Sequence, residues 1–353
     1  MLGKFKIKTN LFINEKLNRT FVPDPRDVLF VDPTGLCNLG CKFCAYPKLE
    51  NGFTMELNFF KEIINQATQM GFSNFFITPM LGDVFMDKTI FEKLEFLENH
   101  EKVKSFSFYT NFVLARNIEK IFKFSKLKDF EVSVYGLNEV DFAKVTTKDK
   151  KQYALFENNI LNLSKLVREN KINCNLHFSI RTIVDKEIYS LSKKDKVDYI
   201  LGKYNSKVSN EFRFLKSKAR ISVATLTDTW LGVVEQKDVE DLGLEISRAG
   251  PMRGPCNLLF GAIQIRYDGT VHACTRSVGN KLIIGDLKNH NLTYILSTKN
   301  PKYKNLISSQ LKNRFSEVCK ECAHYRSIYQ DFESGAGKYG KTLNLKEALL
   351  KLS

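Results

Sequence analysis

The sequence predicts an α/β fold, in which an incompletely closed barrel of six parallel strands precedes a small C-terminal α+β unit. Three observations support this prediction. Six apolar strand-like segments alternate with helical ones. The middle strands each carry one polar face, and the eight cysteines fall into two sets far apart in the chain.

The strands and helices alternate in a regular order along the first 217 residues. The predicted strands are VLFVDP (28–33), NFFITPML (74–81), KSFSFYTN (104–111), DFEVSVYG (129–136), INCNLHFSIRT (172–182) and NEFRFLKS (210–217). Apolar residues at helical spacing predict helices over 57–70, 88–100, 117–127, 152–170 and about 187–203. Gly71 follows the first of these at the position of a C-terminal cap.

Polar residues recur at every second position in the middle strands. In 104–111 and 129–136 one face is polar and the other is Phe or Val, and the fifth strand repeats the pattern. A fully buried parallel strand is nearly all apolar, and a closed eight-stranded barrel fills its interior with branched aliphatic residues. We therefore expect an open barrel whose polar inner face lines a ligand cavity. An antiparallel sheet with one solvated face is the alternative, which the intervening helices disfavour.

Composition and charge narrow the function class. The chain has 353 residues, 43% of them hydrophobic, enough for a sizeable core, and no apolar run long enough to cross a bilayer. The N-terminus lacks a secretory pattern, so we expect a cytoplasmic protein with no membrane partner. The net charge of +15 indicates a Lys-rich solvated surface, with an anionic partner as the alternative, and nucleic acid is not expected.

The first cysteine set lies directly after the first strand, in GLCNLGCKFCAYP. Its members are Cys37, Cys41 and Cys44. An iron-sulfur cube used for electron transfer normally has four thiolate ligands, so three thiolates would leave one iron open to a substrate or cosubstrate. A zinc site completed by a distant residue is the alternative.

The second cysteine set comprises Cys256, Cys274, Cys319 and Cys322. The segment QIRYDGTVHAC predicts a hairpin with an Asp-Gly turn, which would bring Cys256 and Cys274 together. Four thiolates fit a structural zinc or a fully ligated iron-sulfur cluster, and thiol count alone favours zinc. Cys174 belongs to neither set and is interpreted as a core residue.

The Cys-x3-Cys-x2-Cys motif after the first strand, with Phe43 before the last cysteine, resembles the signature of radical S-adenosylmethionine (radical SAM) enzymes. The resemblance covers about residues 27–225. It implies a 4Fe-4S cluster whose open iron binds S-adenosylmethionine, reductive cleavage to a 5'-deoxyadenosyl radical, and abstraction of a substrate hydrogen. It also implies an external electron donor such as flavodoxin or ferredoxin.

The same resemblance implies roles for residues at the strand ends. Gly82 and Asp83 stand where the family has a Gly-Gly-Glu-like turn that binds the cosubstrate ammonium, although Asp replaces Glu. Asn111 resembles the Asn of the Thr-Asn pair that ends the third strand in the family. Ser133 would contact the ribose of the cosubstrate, and Arg181 would bind its carboxylate. Polar residues on the inner face would meet the substrate: Tyr109, Glu131, Tyr135, His177 and Arg213, with Glu131, His177 and Tyr109 as catalytic candidates.

The second cysteine set resembles the twitch domain, the shortened SPASM extension that carries one auxiliary 4Fe-4S cluster. The implied cofactors are thus two 4Fe-4S clusters and S-adenosylmethionine. The spacing is most similar to that of the aminocyclitol (2-deoxy-scyllo-inosamine) dehydrogenase type. It departs from the two-auxiliary-cluster maturases, and the C-terminal double-Arg ending of molybdenum-cofactor cyclases does not occur. We expect a basic extension over 1–26, the radical SAM barrel over 27–225, the twitch-like domain over 226–330 and a tail helix over 331–353.

These features together predict a radical SAM oxidoreductase that oxidises a polar small molecule such as a sugar, amino sugar or cyclitol, with the auxiliary cluster as electron acceptor. Two alternatives stay open. One is a maturase of ribosomally made peptides, and the other is a non-catalytic metal-binding module that docks on nucleic acid, whose affinity would fall steeply with salt.

Overall fold

A mixed sheet forms the centre of the computed structural model, which describes residues 28–49, 52–78, 80–247, 250, 252–297, 299–320 and 322–327. The strands of the described residues, in chain order, are β1 (Val28–Val31), β2 (Asn74–Phe76), β3 (Ser105–Thr110), β4 (Leu127–Val134), β5 (Asn175–Ile180), β6 (Arg220–Val223), β7 (Leu226–Thr227), β8 (Glu245–Ile246), β9 (Gln264–Ile265), β10 (Thr270–His272) and β11 (Ile283–Asp286), and all but β7 and β8 belong to this sheet. The predicted extension over 1–26 and tail helix over 331–353 lie outside the described residues.

The six N-terminal strands are parallel and lie side by side in chain order. The free edge of β1 pairs with β9, and not with β6, so the six strands form an open barrel. This confirms the predicted partial barrel. Strands β9 and β10 form the predicted antiparallel hairpin, and β11 completes the edge. Strands β7 and β8 make a separate parallel pair.

Helices between the barrel strands cover their outer face, and further helices follow in the C-terminal part of the chain. In chain order they are α1 (Leu57–Gln69), α2 (Ile90–Asn99), α3 (Ile118–Ile121), α4 (Glu139–Thr146), α5 (Lys150–Arg168), α6 (Lys193–Lys203), α7 (Lys207–Leu215), α8 (Gln236–Val239), α9 (Leu258–Gly261), α10 (Leu292–Ile295), α11 (Pro301–Leu311) and α12 (Glu317–Lys320). Among the described residues, no helix combines the length and apolar character needed to span a membrane.

The apolar faces of the strands point into the helix layer, as the alternation predicts. Phe106, Phe108 and Phe130 are at most 1% exposed. Phe108 and Phe130 meet edge to face with 5.2 Å between ring centroids, a favourable aromatic arrangement. The polar faces are thereby left to line the barrel interior.

The prediction of a strand over 210–217 is wrong, because this segment lies in helix α7. Ser206 and Ser209 form a capping box at its start, and Val208, Phe212 and Leu215 recur at helical spacing and are buried. Phe212 packs edge to face on Phe178 of β5, at 5.0 Å. The sixth strand is β6, a few residues later.

Arg213 therefore does not lie on the inner face. It is on α7, where its guanidinium donates to the carbonyls of Leu201 and Tyr204. Other helices also differ from the prediction. The helix predicted over 117–127 is shortened to α3, and the unpredicted helix α4 precedes α5. A 3-10 turn at Lys186–Ser190 precedes α6.

A buried lysine closes the base of the loop that carries the first cysteine set. Lys93 on α2 is fully buried, and its ammonium donates to the carbonyls of Pro33 and Met55 and to Asp87 Oδ2, at 3.3, 2.5 and 2.6 Å. Burial lowers the pKa of Lys93, and Asp87 opposes that shift. The two flanks of the cysteine loop are thus held together by one charge.

We expect Lys93→Met to lower the free energy of unfolding by about 3–5 kcal/mol, because Asp87 would be left as an unpaired buried charge. Urea denaturation measures this, with the exposed Lys88→Met as the matched control. A loss below about 1 kcal/mol for Lys93→Met would show that the buried pair does not stabilise the fold.

Candidate iron-sulfur and cosubstrate site

The cysteine loop leaves β1 and docks on the end of α4. The amides of Gly40 and Lys42 both donate to carbonyls there, those of Thr146 and Val145, at 3.0 Å. Backbone amides also point at the sulfurs: Leu39 N lies 3.5 Å from Cys37 Sγ. A similar contact of 3.4 Å joins Tyr46 N to Cys44 Sγ. Backbone donors of this kind stabilise thiolate ligands.

Burial keeps the metal-free thiols protonated. It raises the pKa of Cys37 to about 12, with a further contribution from the Asp83 carboxylate. Burial also raises the pKa of Cys41 and of Cys44, and the positive charge of Arg181 partly opposes this rise. A bound metal would have to displace these protons, so cluster assembly and deprotonation are coupled.

Asp83 and Asn111 fasten the loop to the strand ends. The carboxylate of Asp83 is 2% exposed and accepts hydrogen bonds from Phe85 N, Thr110 Oγ1 and Asn111 N, at 3.0, 2.9 and 2.6 Å. The Asn111 amide in turn donates to Asn38 Oδ1 at 2.9 Å and faces Cys37 Sγ at 3.9 Å. Three of the roughly four acceptor positions of Asp83 are therefore used within the protein.

Gly82 occupies a backbone conformation that explains the glycine before Asp83. Its φ of 144° belongs to a region that residues with a side chain rarely adopt. The sequence predicted Gly82 and Asp83 at the cosubstrate site, and the structure places both beside the cysteine loop, since Asp83 N donates to Leu36 O at 2.8 Å.

Arg181 follows β5 and lies at the centre of the site. Its guanidinium lies 5.3 Å from the ring centroid of Phe43, which also packs against Tyr135 with 5.3 Å between centroids. Among the described residues, the buried Nε of Arg181 has no hydrogen-bond partner. Ser133 is half-buried nearby and hydrogen-bonds Tyr135.

The three catalytic candidates lie in one row across the barrel interior. Strand register places Tyr109 beside Glu131, Glu131 beside His177, and His177 beside Arg220. Burial raises the pKa of Glu131, and the positive charges of Arg181 and Arg220 oppose that shift. His177 Nε2 lies 3.3 Å from Asp129 Oδ1. The structure thus brings these residues together, and their catalytic roles stay predictions.

The second cysteine set is gathered by backbone and side-chain contacts. Burial raises the pKa of Cys256 to about 11, and Cys322 and Cys319 raise it further. Burial also raises the pKa of Cys274, to which Cys256 and Cys322 add. The four sulfurs are thus electrostatic neighbours. Cys322 N donates to Cys319 O at 3.1 Å, a turn that sets the Cys-x2-Cys pair.

Gln310 is a residue of this site that sequence reasoning missed. It is 1% exposed, accepts from Cys256 N at 2.9 Å and donates to Cys319 Sγ at 3.6 Å. Arg276 N likewise donates to Cys274 Sγ at 3.3 Å. Neither residue belongs to a spacing motif. The one signal in the sequence is that Gln310 is a polar residue at a position of helix α11 where the helical spacing predicts burial.

The donor chemistry fits iron-sulfur clusters at both places. Within the described ranges, no three His, Cys, Asp or Glu side chains are arranged to bind a single metal ion. In an iron-sulfur cluster each thiolate binds a different iron, so the sulfurs need not converge on a single ion. Three cysteines on one loop form one such set, and the four cysteines of the second set, two of which contact Gln310, form the other.

One pocket is lined by residues that neighbour cysteines of both sets in the sequence, and most of its residues belong to no sequence motif. It is lined by Phe43, Arg181, Ala224, Leu226, Thr227, Asp228, Trp230, Leu244, Ser247, Arg276 and His324. Trp230 donates its indole N–H to Phe43 O at 2.9 Å, across 187 positions of sequence. Asp228, Trp230 and His324 were not predicted, because only the tertiary fold brings them to the cysteine loop.

Comparison with known families agrees with this geometry. Residues 31–193 match the model of the radical SAM superfamily, and residues 256–323 match SPASM, an iron-sulfur cluster-binding domain. The chain thus carries a radical SAM domain followed by a SPASM domain. The first domain implies a 4Fe-4S cluster and S-adenosylmethionine, and the second implies auxiliary iron-sulfur ligation. No curated protein sequence matches the chain.

Two solved structures show the same fold. BtrN, in complex with AdoMet and 2-DOIA, is 12% identical with a TM-score of 0.53, over 85% of this chain and 94% of BtrN. Streptococcus suis SuiB, bound to precursor peptide SuiA, is 15% identical with a TM-score of 0.50, over 92% of this chain and 75% of SuiB. At these identities the similarity concerns the fold alone.

We expect Asp83→Asn to lower the free energy of unfolding by about 1–3 kcal/mol, because the new amide group would face hydrogen-bond donors in a buried position. Urea denaturation measures the loss, and the exposed Glu101→Gln serves as control. Equal stability of Asp83→Asn and wild type would contradict the role of Asp83 in fastening the loop.

Proposed function

We propose that this radical SAM enzyme oxidises a hydroxyl-bearing carbon of a polar small molecule to a ketone. The observation that carries the proposal is the polar row of Tyr109, Glu131, His177 and Arg220 across the barrel interior. Its side chains suit a substrate with several hydroxyl or amino groups better than an apolar one. The sugar, amino sugar and cyclitol class is the substrate range we propose.

The proposed reaction assigns different tasks to the two cysteine sets. When bound, the first cluster with S-adenosylmethionine supplies a 5'-deoxyadenosyl radical, and an auxiliary cluster supplies an electron acceptor. Oxidation of a secondary alcohol to a ketone removes one hydrogen atom, one proton and one electron. Glu131 or His177 would take the proton, and Gln310 and the Arg276 amide would hold the sulfurs of the auxiliary set.

The cosubstrate would lie between the cysteine loop and the strand ends. Arg181 has a buried Nε with no hydrogen-bond partner among the described residues, so its guanidinium is available for a carboxylate. Asp83 retains one acceptor position for an ammonium group. Phe43, Asn111 and Ser133 would complete the walls of this site.

We expect Arg181→Met to weaken S-adenosylmethionine binding about 10- to 100-fold, because a bidentate charged pair would be lost. Equilibrium binding to the reconstituted protein measures this. Arg168→Met is the control, because the Arg168 guanidinium pairs with Glu211 and lies over the Phe214 ring and not at the cosubstrate site. Unchanged affinity of Arg181→Met would remove Arg181 from the cosubstrate site.

The double variant Cys319→Ala/Cys322→Ala tests the proposed function itself. We expect it to form 5'-deoxyadenosine under dithionite, since the first set is intact, but to lose ketone formation from sugars, amino sugars and cyclitols about 100-fold or more. Mass spectrometry of the product, seen as loss of a hydrogen pair, measures this.

Cys174→Ala is the matched control, because Cys174 belongs to neither set, and it should retain both activities. Deoxyadenosine formation by wild type without any oxidised product across the panel would contradict the proposed substrate class. Ketone formation by the double variant at the wild-type rate would contradict the role of the auxiliary set.

A second function, peptide modification, is favoured by one observation. An open groove of about 900 Å³ lies beside the pocket that Phe43 and Arg276 line, and Leu226 and Ser247 line both. An extended peptide in this groove would reach the pocket. A neighbouring gene for a short peptide, and an S-adenosylmethionine-dependent mass change of that peptide, would support this function over the first.

A further inference from the structure

The segment over residues 145–152, which joins the end of α4 to the start of α5, covers the first cysteine loop. The amides of Gly40 and Lys42, on either side of Cys41, both donate to carbonyls of this segment at 3.0 Å. Asn38 of the same loop donates to a side chain in the first turn of α5 at 3.4 Å. The segment is thus hydrogen-bonded to the loop at several points around Cys41.

The cover over the loop is thin. A Cβ added to Gly40 would lie 2.6 Å from Thr147 Oγ1, closer than real Cβ atoms approach, so the loop and the segment touch. Thr147 is itself exposed. A single length of chain therefore lies between the cysteine loop and solvent at this point. Electron transfer slows steeply with distance, so a donor protein would gain from docking here.

Four exposed lysines lie along this cover, and we call them the 144–151 patch: Lys144, Lys148, Lys150 and Lys151. The one acidic residue between them, Asp149, caps α5, since its Oδ1 accepts from two backbone amides of the first turn. Among the described residues, Lys148 and Lys151 form no ion pair. Their positive charges are therefore available to a partner.

The other side of the cysteine loop carries the opposite charge. Residues 235–245 contain five acidic side chains and one basic one. Two of the carboxylates bind lysines of the loop, Asp241 to Lys42 at 2.6 Å and Asp238 to Lys48. A negatively charged partner would be attracted by the 144–151 patch and repelled by this acidic segment, so the two together fix its side of approach.

Nucleic acid is also negatively charged, but the composition of the patch disfavours it. The patch contains no arginine and no aromatic residue, which surfaces that bind nucleic acid tend to gather. Encounters between redox proteins are usually small and transient, and charge complementarity directs them more than buried apolar area does. A lysine patch over a cysteine loop fits the second kind of contact.

We propose that the 144–151 patch is the docking surface for an acidic one-electron carrier protein that reduces the first cluster. One electron leaves the reduced carrier and one electron reaches the cluster that Cys37, Cys41 and Cys44 would hold. No bond is made or broken, and no proton moves. The proposal rests on the reductive chemistry of the proposed function, and it goes further by placing the partner on the chain.

The test uses the reconstituted holoenzyme and two acidic carriers, a reduced flavodoxin and a reduced 2Fe-2S ferredoxin. The test variant is Lys148→Glu/Lys151→Glu, and a Glu at position 151 suits the first turn of α5. The matched control is Lys102→Glu/Lys104→Glu. These lysines are also exposed and the charge change is equal, but they precede β3, at the opposite end of the strands from the cysteine loop.

We expect the test variant to lower the rate of electron transfer from the carrier about tenfold or more at low salt, and its affinity for the carrier in calorimetry by a similar factor. The control should stay within about threefold of wild type. The difference should vanish at about 1 M salt, where the screening length falls to about 3 Å. Dithionite needs no docking surface, so 5'-deoxyadenosine formation with dithionite should be the same in all three proteins.

Equal rates in wild type and the test variant, an equal loss in the control, or no reduction of wild type by either carrier would overturn the proposal. Salt-sensitive binding of single-stranded RNA that only the test variant loses, with carrier reduction unchanged, would make the patch a nucleic-acid surface instead.

Failure of the proposed function gives a different result, because ketone formation is assayed with dithionite. Carrier reduction that depends on the patch, with no ketone formed by wild type, supports the docking surface and contradicts the dehydrogenase. Ketone formation with dithionite, together with carrier reduction that ignores the patch, supports the dehydrogenase and overturns the docking surface.

Discussion

The pairing of the C-terminal hairpin with the first barrel strand is the contact on which the rest of the structure depends. Strand β9 lies parallel to β1, and Asp32 N donates to Ile265 O at 2.8 Å. Just beyond the strands, Arg266 Nε lies 2.7 Å from the fully buried Asp32 Oδ2. This pairing joins the hairpin that precedes Cys274 directly to the strand that precedes the first cysteine loop.

The hairpin also shapes the start of the cysteine loop. The ring of Tyr267 lies so close to Gly35 that an added Cβ would meet it at 2.2 Å, so only glycine fits there. A buried ion pair such as Asp32 with Arg266 adds little net stability, but removal of one partner is strongly destabilising, so it can fix the register of the two units. The geometry between the two proposed clusters is therefore set by the sheet and not by a linker.

Much of the barrel and both cysteine sets could be predicted from the sequence, because periodicity and spacing are local signals. Helix α7 was misassigned because Phe212 and Phe214 suggest a strand, whereas the capping box at Ser206 and burial at helical spacing decide the outcome. The pocket residues Asp228, Trp230 and His324 could not be predicted in the same way. They line one pocket with Phe43 of the cysteine loop only because the tertiary fold brings these distant segments together, and none belongs to a motif.

Iron and sulfide content after anaerobic reconstitution, measured on wild type and on the triple variant Cys37→Ala/Cys41→Ala/Cys44→Ala, tests the central claim of two clusters with separate tasks most directly. The account predicts about eight irons per wild-type chain, given four in each cube, and about four in the variant together with loss of 5'-deoxyadenosine formation under dithionite. About four irons and one zinc in wild type would contradict it, because the second cysteine set would then offer no electron acceptor.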